Sequence, residues 1–136
     1  MAKRRRGSQH VRARTSHHRP FEALVDGALA TIPQPFAGAL DEVAIVIADE
    51  PSADQLRENE IEDGDTLYGL YEGVPRTEWG ADWAPVPNRI TLFRLPLEAD
   101  FADPDELADE VWTTVVHELA HHLGIDDRRL EELGID

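Results

Sequence analysis

The segment from Asp103 to Gly124 constrains the fold most, because it carries the start and stop signals of one long helix. Asp103 is a favourable N-cap, Pro104 suits the first helical position, and Glu106 suits the third position of a capping box. Gly124 is typical of the residue that ends a helix. An apolar stripe at helical spacing joins the two ends and predicts a face buried in the core: Leu107, Val111, Val115, Leu119 and Leu123.

The predicted helix carries the pattern HExxH, formed by His117, Glu118 and His121. Four residues advance an α-helix by about 400° and about 6 Å, so the two imidazoles share a face and can converge on one ion. Zinc suits neutral imidazole ligands, although two imidazoles and a carboxylate also suit Fe²⁺, Co²⁺ or Mn²⁺. Glu118 lies roughly 100° round the helix from His117. From there it can act as a general base on water at the open side of the metal.

A third metal ligand is expected after the end of this helix. Gly124 allows a positive φ, so the chain can turn back toward the metal. Asp127 follows three residues later and completes the pattern HExxHxxGxxD, with Asp126 as the neighbouring competitor. The spacing after the glycine favours Asp127. His122 points about 100° away from His121 and is expected either to face solvent or to support the ligands from behind.

The rest of the chain predicts one small sheet with helices packed on it, which is an α+β domain. Apolar periodicity predicts a helix from Phe21 to Ile32, and shorter helices are expected at 52–58 and 128–133. Strands are expected at 43–48, 66–72 and 89–95. The stretch 73–88 contains two tryptophans, so it predicts an ordered loop.

The charge of the chain changes sharply near its beginning. Residues 1–20 hold seven of the 13 basic residues and no acidic one, which leaves six basic against 28 acidic residues and a net charge of −22. Residues 1–19 have almost no apolar content, so we expect a disordered basic arm before a domain at 20–136. The arm is either a weak ligand of polyanions or a solvated tail that folds back onto the acidic domain.

Several function classes are excluded by composition. The chain has no cysteine, which rules out a disulfide scaffold, a thiolate zinc site, an iron–sulfur cluster and a cysteine nucleophile. No apolar run approaches the roughly 20 residues of a membrane helix. The basic N-terminus lacks the apolar region of a secretory signal. The expectation is a cytoplasmic protein with no membrane partner.

The helix with its downstream Gly and Asp resembles the zincin metallopeptidases. More closely, the stretch from about Leu67 to Gly134 is similar to a family of small bacterial zincin-like metallopeptidases with a minimal zincin fold. The resemblance rests on LYEGVP at 70–75, PNRITLFR at 87–94 and residues 117–133. It implies one Zn²⁺ held by His117, His121 and Asp127. It also implies that Glu118 is the general base in hydrolysis of a peptide or protein substrate.

Two features depart from related zincins. Met1 is the sole methionine, so the Met-turn that lies beneath the metal in metzincins is missing. No His or Tyr follows Asp127, which leaves oxyanion stabilisation to the metal, to an upstream group such as Tyr68 or Tyr71, or to nothing.

Three functional interpretations follow from these patterns. The first is a zinc peptidase that holds an extended peptide by strand addition, with 89–95 as the candidate edge unless this segment is an ordinary core strand. The second is a metal-bound module that binds a peptide or partner with little or no proteolysis. The third is a polyanion-binding protein that acts through its arm and uses zinc for structure.

Overall fold

The computed structural model describes residues 19–62, 64–73 and 88–134. The predicted arm at 1–19 lies outside the described residues except for Arg19, which begins the first helix. Most of the predicted loop at 73–88 also lies outside them. The division into an arm and a domain therefore stays a prediction.

The described residues form an α+β domain, which confirms the predicted fold class. A three-stranded sheet is accompanied by six α-helices and one 3-10 turn. The strands are β1 (Ala44–Ala48), β2 (Gly69–Glu72) and β3 (Arg89–Phe93). The helices are α1 (Arg19–Leu29), α2 (Phe36–Ala39, followed by the 3-10 turn Leu40–Glu42), α3 (Ala53–Glu58), α4 (Arg94–Asp100), α5 (Pro104–Leu123) and α6 (Asp127–Glu132).

The sheet is mixed, with the strand order β1-β3-β2. β1 runs parallel to β3, whereas β2 runs antiparallel to it with Gly69 opposite Leu92. The prediction that 89–95 offers an exposed edge to substrate is wrong, because β3 is the central strand and is paired on both sides. Its burial is that of a core strand, since four consecutive residues, 90–93, are buried and Ile90, Leu92 and Phe93 are fully so.

A helix that the sequence did not predict follows β3 at once. α4 begins at Arg94, so the predicted strand ends two residues earlier than expected. Pro96 falls in the first turn of α4, where its missing N–H would have no intrahelical partner. Pro96 therefore marks a helix start here.

α5 is the predicted long helix, and its two ends have the expected chemistry. Asp103 Oδ2 accepts a hydrogen bond from Glu106 N at 3.1 Å. Gly124 adopts a left-handed conformation with φ of 77°, and Ile125 N donates to Ala120 O at 2.8 Å. The apolar stripe of α5 packs against α1 and the sheet, so the helix is the centre of the core.

β2 lies unusually close to α5. A Cβ added at Gly69 would stand 2.6 Å from Thr114 Cγ2 and 3.3 Å from Thr91 O. Contacts that short require atoms to move, so only glycine lets the strand approach the helix at this point. Gly69 thereby brings the backbone of β2 within reach of the HExxH residues one turn further along α5.

We predict that Gly69→Ala destabilises the fold by about 1–3 kcal/mol, the usual cost of overpacking a dense site. The control is Gly27→Ala in α1, where an added Cβ meets nothing within 4 Å. That variant should gain about 0.5–1 kcal/mol from the better helix propensity of alanine. Urea unfolding of both proteins measures the two effects, and equal stabilities would contradict the close packing of β2 on α5.

Candidate metal centre

The two histidines of the HExxH pattern lie one above the other in the last two turns of α5. The ring centroids of His117 and His121 are 5.1 Å apart, and the ring planes are inclined by 68°. Both side chains are partly open to solvent, with 39% of His117 and 47% of His121 exposed. A ligand approaching from solvent can therefore reach both imidazoles.

The chain reversal after α5 separates the two aspartates that compete for the third position. Asp126 is the N-cap of α6, and its Oδ1 accepts a hydrogen bond from Arg129 N at 2.9 Å. Asp127 lies in the first turn of α6, and its Oδ1 is 3.4 Å from His117 Nε2. Capping thus occupies the first carboxylate, whereas the reversal at Gly124 directs the second one toward the histidines.

The side chains of His117, His121 and Asp127 form a donor set that fits zinc. One ligand atom from each lies within 4.8 Å of the other two. Donors of one tetrahedral zinc ion stand about 3.4 Å apart, given bonds of about 2.0–2.2 Å. The nearest pair, His117 Nε2 and Asp127 Oδ1, already has this separation. The assignment of these three residues as ligands stays a prediction.

Glu118 is more sheltered than these three side chains, since only 13% of its side chain is exposed. Its Oε1 accepts a hydrogen bond from the main-chain N–H of Tyr71 at 2.9 Å and lies 3.4 Å from His121 Nδ1. The contact with Glu118 raises the pKa of His121 above 6.5, partial burial opposes this, and the charges of Glu118 and Asp127 add to the increase. Glu118 is therefore oriented by β2 as well as by its own helix.

His122 is fully buried, so the expectation that it could face solvent is wrong. Its Nε2 lies 2.7 Å from Glu42 Oε1, and its Nδ1 lies 2.9 Å from the hydroxyl of Tyr71. The helical angle alone placed this residue on a different side of α5 from His121, which its burial confirms, but it did not reveal that this side contacts Glu42 and Tyr71. His122 therefore joins Tyr71 of β2 to Glu42 from within the core.

The hydroxyl of Tyr68 is hydrogen-bonded to a carboxylate at the end of α4. It donates a hydrogen bond to Asp100 Oδ2. This bond, burial and the charges of Asp100 and Glu110 raise the pKa of Tyr68 from 10.0 to about 12. Since the Tyr71 hydroxyl contacts His122, both tyrosines considered as oxyanion donors have other hydrogen-bond partners.

A cavity of about 260 Å³ opens beside the HExxH residues. The side of α5 forms one wall and the outer edge of β2 forms the other. Among the residues that the structure describes, its lining includes two carboxylates and no lysine or arginine: Tyr68, Gly69, Glu110, Thr113, Thr114, His117 and Glu118. The described part of the lining is therefore acidic and includes the predicted general base.

Sequence reasoning missed two parts of this arrangement. The main-chain N–H of Tyr71 leaves no signal in the sequence, because every residue except proline has such a group. Glu42 is 80 residues from His122 along the chain, so no spacing rule connects them. Only the paired sheet, which places β2 over the end of α5, brings these groups together.

Comparison with known proteins identifies a family. The sequence model of the zincin-like metallopeptidases matches residues 40–135. The matched span contains the predicted metal donors, Glu118 and the whole sheet. The match suggests a zinc-dependent peptidase and hence a hydrolase. No curated protein matches the chain. Within the described residues, no helix has the length and apolar character needed to cross a bilayer.

We predict that Asp127→Asn weakens zinc binding by more than about 100-fold. Loss of a residue that only hydrogen-bonds to a metal ligand typically costs about 10–100-fold, so loss of a ligand itself should cost more. Asp126→Asn is the matched control, since asparagine caps a helix as well as aspartate does. This control should bind zinc as the wild type does. Competition with a chromophoric chelator measures both affinities, and a larger loss in Asp126→Asn would contradict the placement of Asp127.

Proposed function

The chain belongs to the zincin-like metallopeptidase family, and we propose that it hydrolyses peptide bonds in a zinc-dependent reaction. In this proposal His117, His121 and Asp127 hold the metal and Glu118 is the general base. The observation that carries it is the convergence of three suitable donor atoms within 4.8 Å, with the Glu118 carboxylate beside His121.

The residues divide the chemistry between them. A zinc ion held by the three donors would supply Lewis acidity, which makes water more acidic and polarises a carbonyl. Glu118 takes a proton from the attacking water and delivers it to the leaving nitrogen. Water and one peptide bond are consumed, and a carboxylic acid and an amine are formed. Tyr71 N–H holds Oε1 of Glu118, so we assign Oε2 as the oxygen that carries the proton.

The outer edge of β2 is the place where we propose that the substrate binds. The main-chain oxygen of Tyr68 accepts a hydrogen bond from Phe93 N, so these two residues form a hydrogen-bonded pair. In an antiparallel ladder such residues alternate with residues whose N–H and C=O groups point away from the partner strand. Gly69 is one of these residues, and it lines the cavity beside His117 and Glu118. An extended peptide can add to this edge through main-chain hydrogen bonds. The carboxylates of the cavity favour a basic or neutral side chain over an acidic one.

One observation supports a second candidate, a metal-bound module that binds a peptide with little proteolysis. In the part of the chain that the structure describes, the hydroxyls of Tyr68 and Tyr71 are bonded to Asp100 and His122. Oxyanion stabilisation would then depend on the metal. The third candidate, polyanion binding by the arm, concerns residues outside the described ones and stays a prediction.

We predict that Glu118→Gln lowers kcat by about 10²–10⁴-fold, the range for losing a general base, and leaves the zinc content unchanged. Glutamine keeps an oxygen that can accept the Tyr71 N–H, so the fold should persist. Cleavage of a peptide library by the zinc-loaded protein, followed by mass spectrometry, measures the rate.

The control for this experiment is Glu131→Gln, which makes the same change of charge at an exposed position of α6. It should keep the wild-type rate. Equal turnover by wild type and Glu118→Gln would contradict the assignment of Glu118 as the general base. A zinc-loaded wild type that binds library peptides without cleaving them would instead support the binding module.

A further inference from the structure

We propose that Tyr71 is a positioning residue that holds the general base in place, and that His122 and Glu42 anchor it. The inference rests on the proposed function, since it concerns how Glu118 is oriented for proton transfer. It is carried by three hydrogen bonds that link β2, the end of α5 and the 3-10 turn before β1.

The first bond involves a main-chain N–H of β2 that does not pair with β3. In the pairing of β2 with β3, the main-chain oxygen of Tyr68 accepts a hydrogen bond from Phe93 N. Every second residue of β2 pairs with β3 in this way, so the N–H of Tyr71, three residues later, points away from β3. That N–H donates to Glu118 Oε1 at 2.9 Å. At Tyr71 the outer edge of β2 therefore binds a carboxylate, and the proposed substrate contact falls at Gly69, which lines the cavity.

This bond restricts where the Glu118 carboxylate can lie. With Oε1 fixed by Tyr71, the remaining oxygen has a defined direction relative to the histidines of the same helix. Proton transfer requires hydrogen-bond reach of about 2.6–3.2 Å, so small displacements of the base matter. A misplacement of about 1 Å can cost about 10²-fold in rate. The rate should therefore depend on the position of the Tyr71 backbone.

The second and third bonds fix that backbone through the Tyr71 side chain. The hydroxyl of Tyr71 meets His122 Nδ1 at 2.9 Å, and His122 Nε2 meets Glu42 Oε1 at 2.7 Å. A carboxylate accepts hydrogen bonds, so His122 Nε2 is the donor to Glu42, and the Tyr71 hydroxyl pairs with the other ring nitrogen, Nδ1. The ring of His122 is fully buried, whereas 33% of the Glu42 side chain is exposed, so the anchor joins the core to a partly solvated carboxylate.

The anchor is separate from the metal donors. His122 follows His121 directly, but its ring lies in the core, whereas 47% of the His121 side chain is exposed. Weakening the anchor should let the Tyr71 end of β2 move and release Glu118, while Gly69, which packs closely on Thr114, and the donors on α5 and α6 keep their places. The expected signature is a lower kcat with unchanged zinc content and nearly unchanged KM.

The experiment compares Glu42→Ala with Glu42→Gln in the full-length, zinc-loaded protein. Alanine removes the acceptor of His122 Nε2, whereas the glutamine oxygen can still accept. We expect Glu42→Ala to lower kcat by about tenfold, within the range that misplacement produces, with KM within about twofold. Glu42→Gln should restore the wild-type rate. A purely structural role would instead lower the thermal stability and leave kcat unchanged in the folded protein.

A second measurement detects the hydrogen bond between Tyr71 N–H and Glu118 without relying on catalysis. Amide hydrogen exchange by NMR should accelerate at Tyr71 by about tenfold in Glu42→Ala, whereas Leu70, whose N–H faces β3, should keep its protection. Tyr71→Phe removes the hydroxyl and should give the same result, so it replaces Glu42→Ala if that variant does not fold. Unchanged exchange at Tyr71 in the folded variant would overturn the proposal.

The two readouts distinguish failure of this inference from failure of the proposed function. A wild type without peptidase activity, in which Tyr71 exchange still responds to Glu42→Ala, would contradict the proposed function and support the anchoring contact. An active wild type whose kcat is the same in Glu42→Ala would overturn the positioning role and leave the peptidase proposal intact.

Discussion

The rotational position of each residue around the axis of α5 is the constraint on which the rest of the site depends. A helical turn between His117 and His121 sets both imidazoles on one side, and the same rotation sends His122 into the core. One helix therefore supplies two predicted metal donors, the predicted general base and the buried histidine beneath them. Its apolar stripe packs against α1 and the sheet, so the stability of the core and the geometry of the site rest on the same contacts.

The parts of the fold that were predictable from sequence are those set by local chemistry. The N-cap Asp103, the glycine end at Gly124 and the apolar stripe predicted α5, and the pattern around His117 and His121 predicted the donor set. The central position of β3 was not predicted, because strand order depends on partners distant in sequence. The burial of His122 and the contact between Tyr71 and Glu118 were missed for the same reason.

Exposure is distributed unevenly across the site, and this distribution suits the proposed chemistry. The predicted donors His117, His121 and Asp127 are 39%, 47% and 75% exposed, whereas Glu118 is only 13% exposed. Substrate can thus reach a metal held by the donors, while the carboxylate that must be oriented is held by a strand. The glycine at position 69 allows this arrangement, because a larger side chain would keep β2 away from α5.

X-ray absorption at the zinc edge of the zinc-loaded protein tests the central claim most directly. We expect two imidazole nitrogens at about 2.0–2.1 Å, oxygen donors at about 2.0–2.2 Å, and the outer scattering of two imidazole rings. A shell made of oxygen alone, with no imidazole scattering, would contradict the account, because His117 and His121 would then not hold the ion.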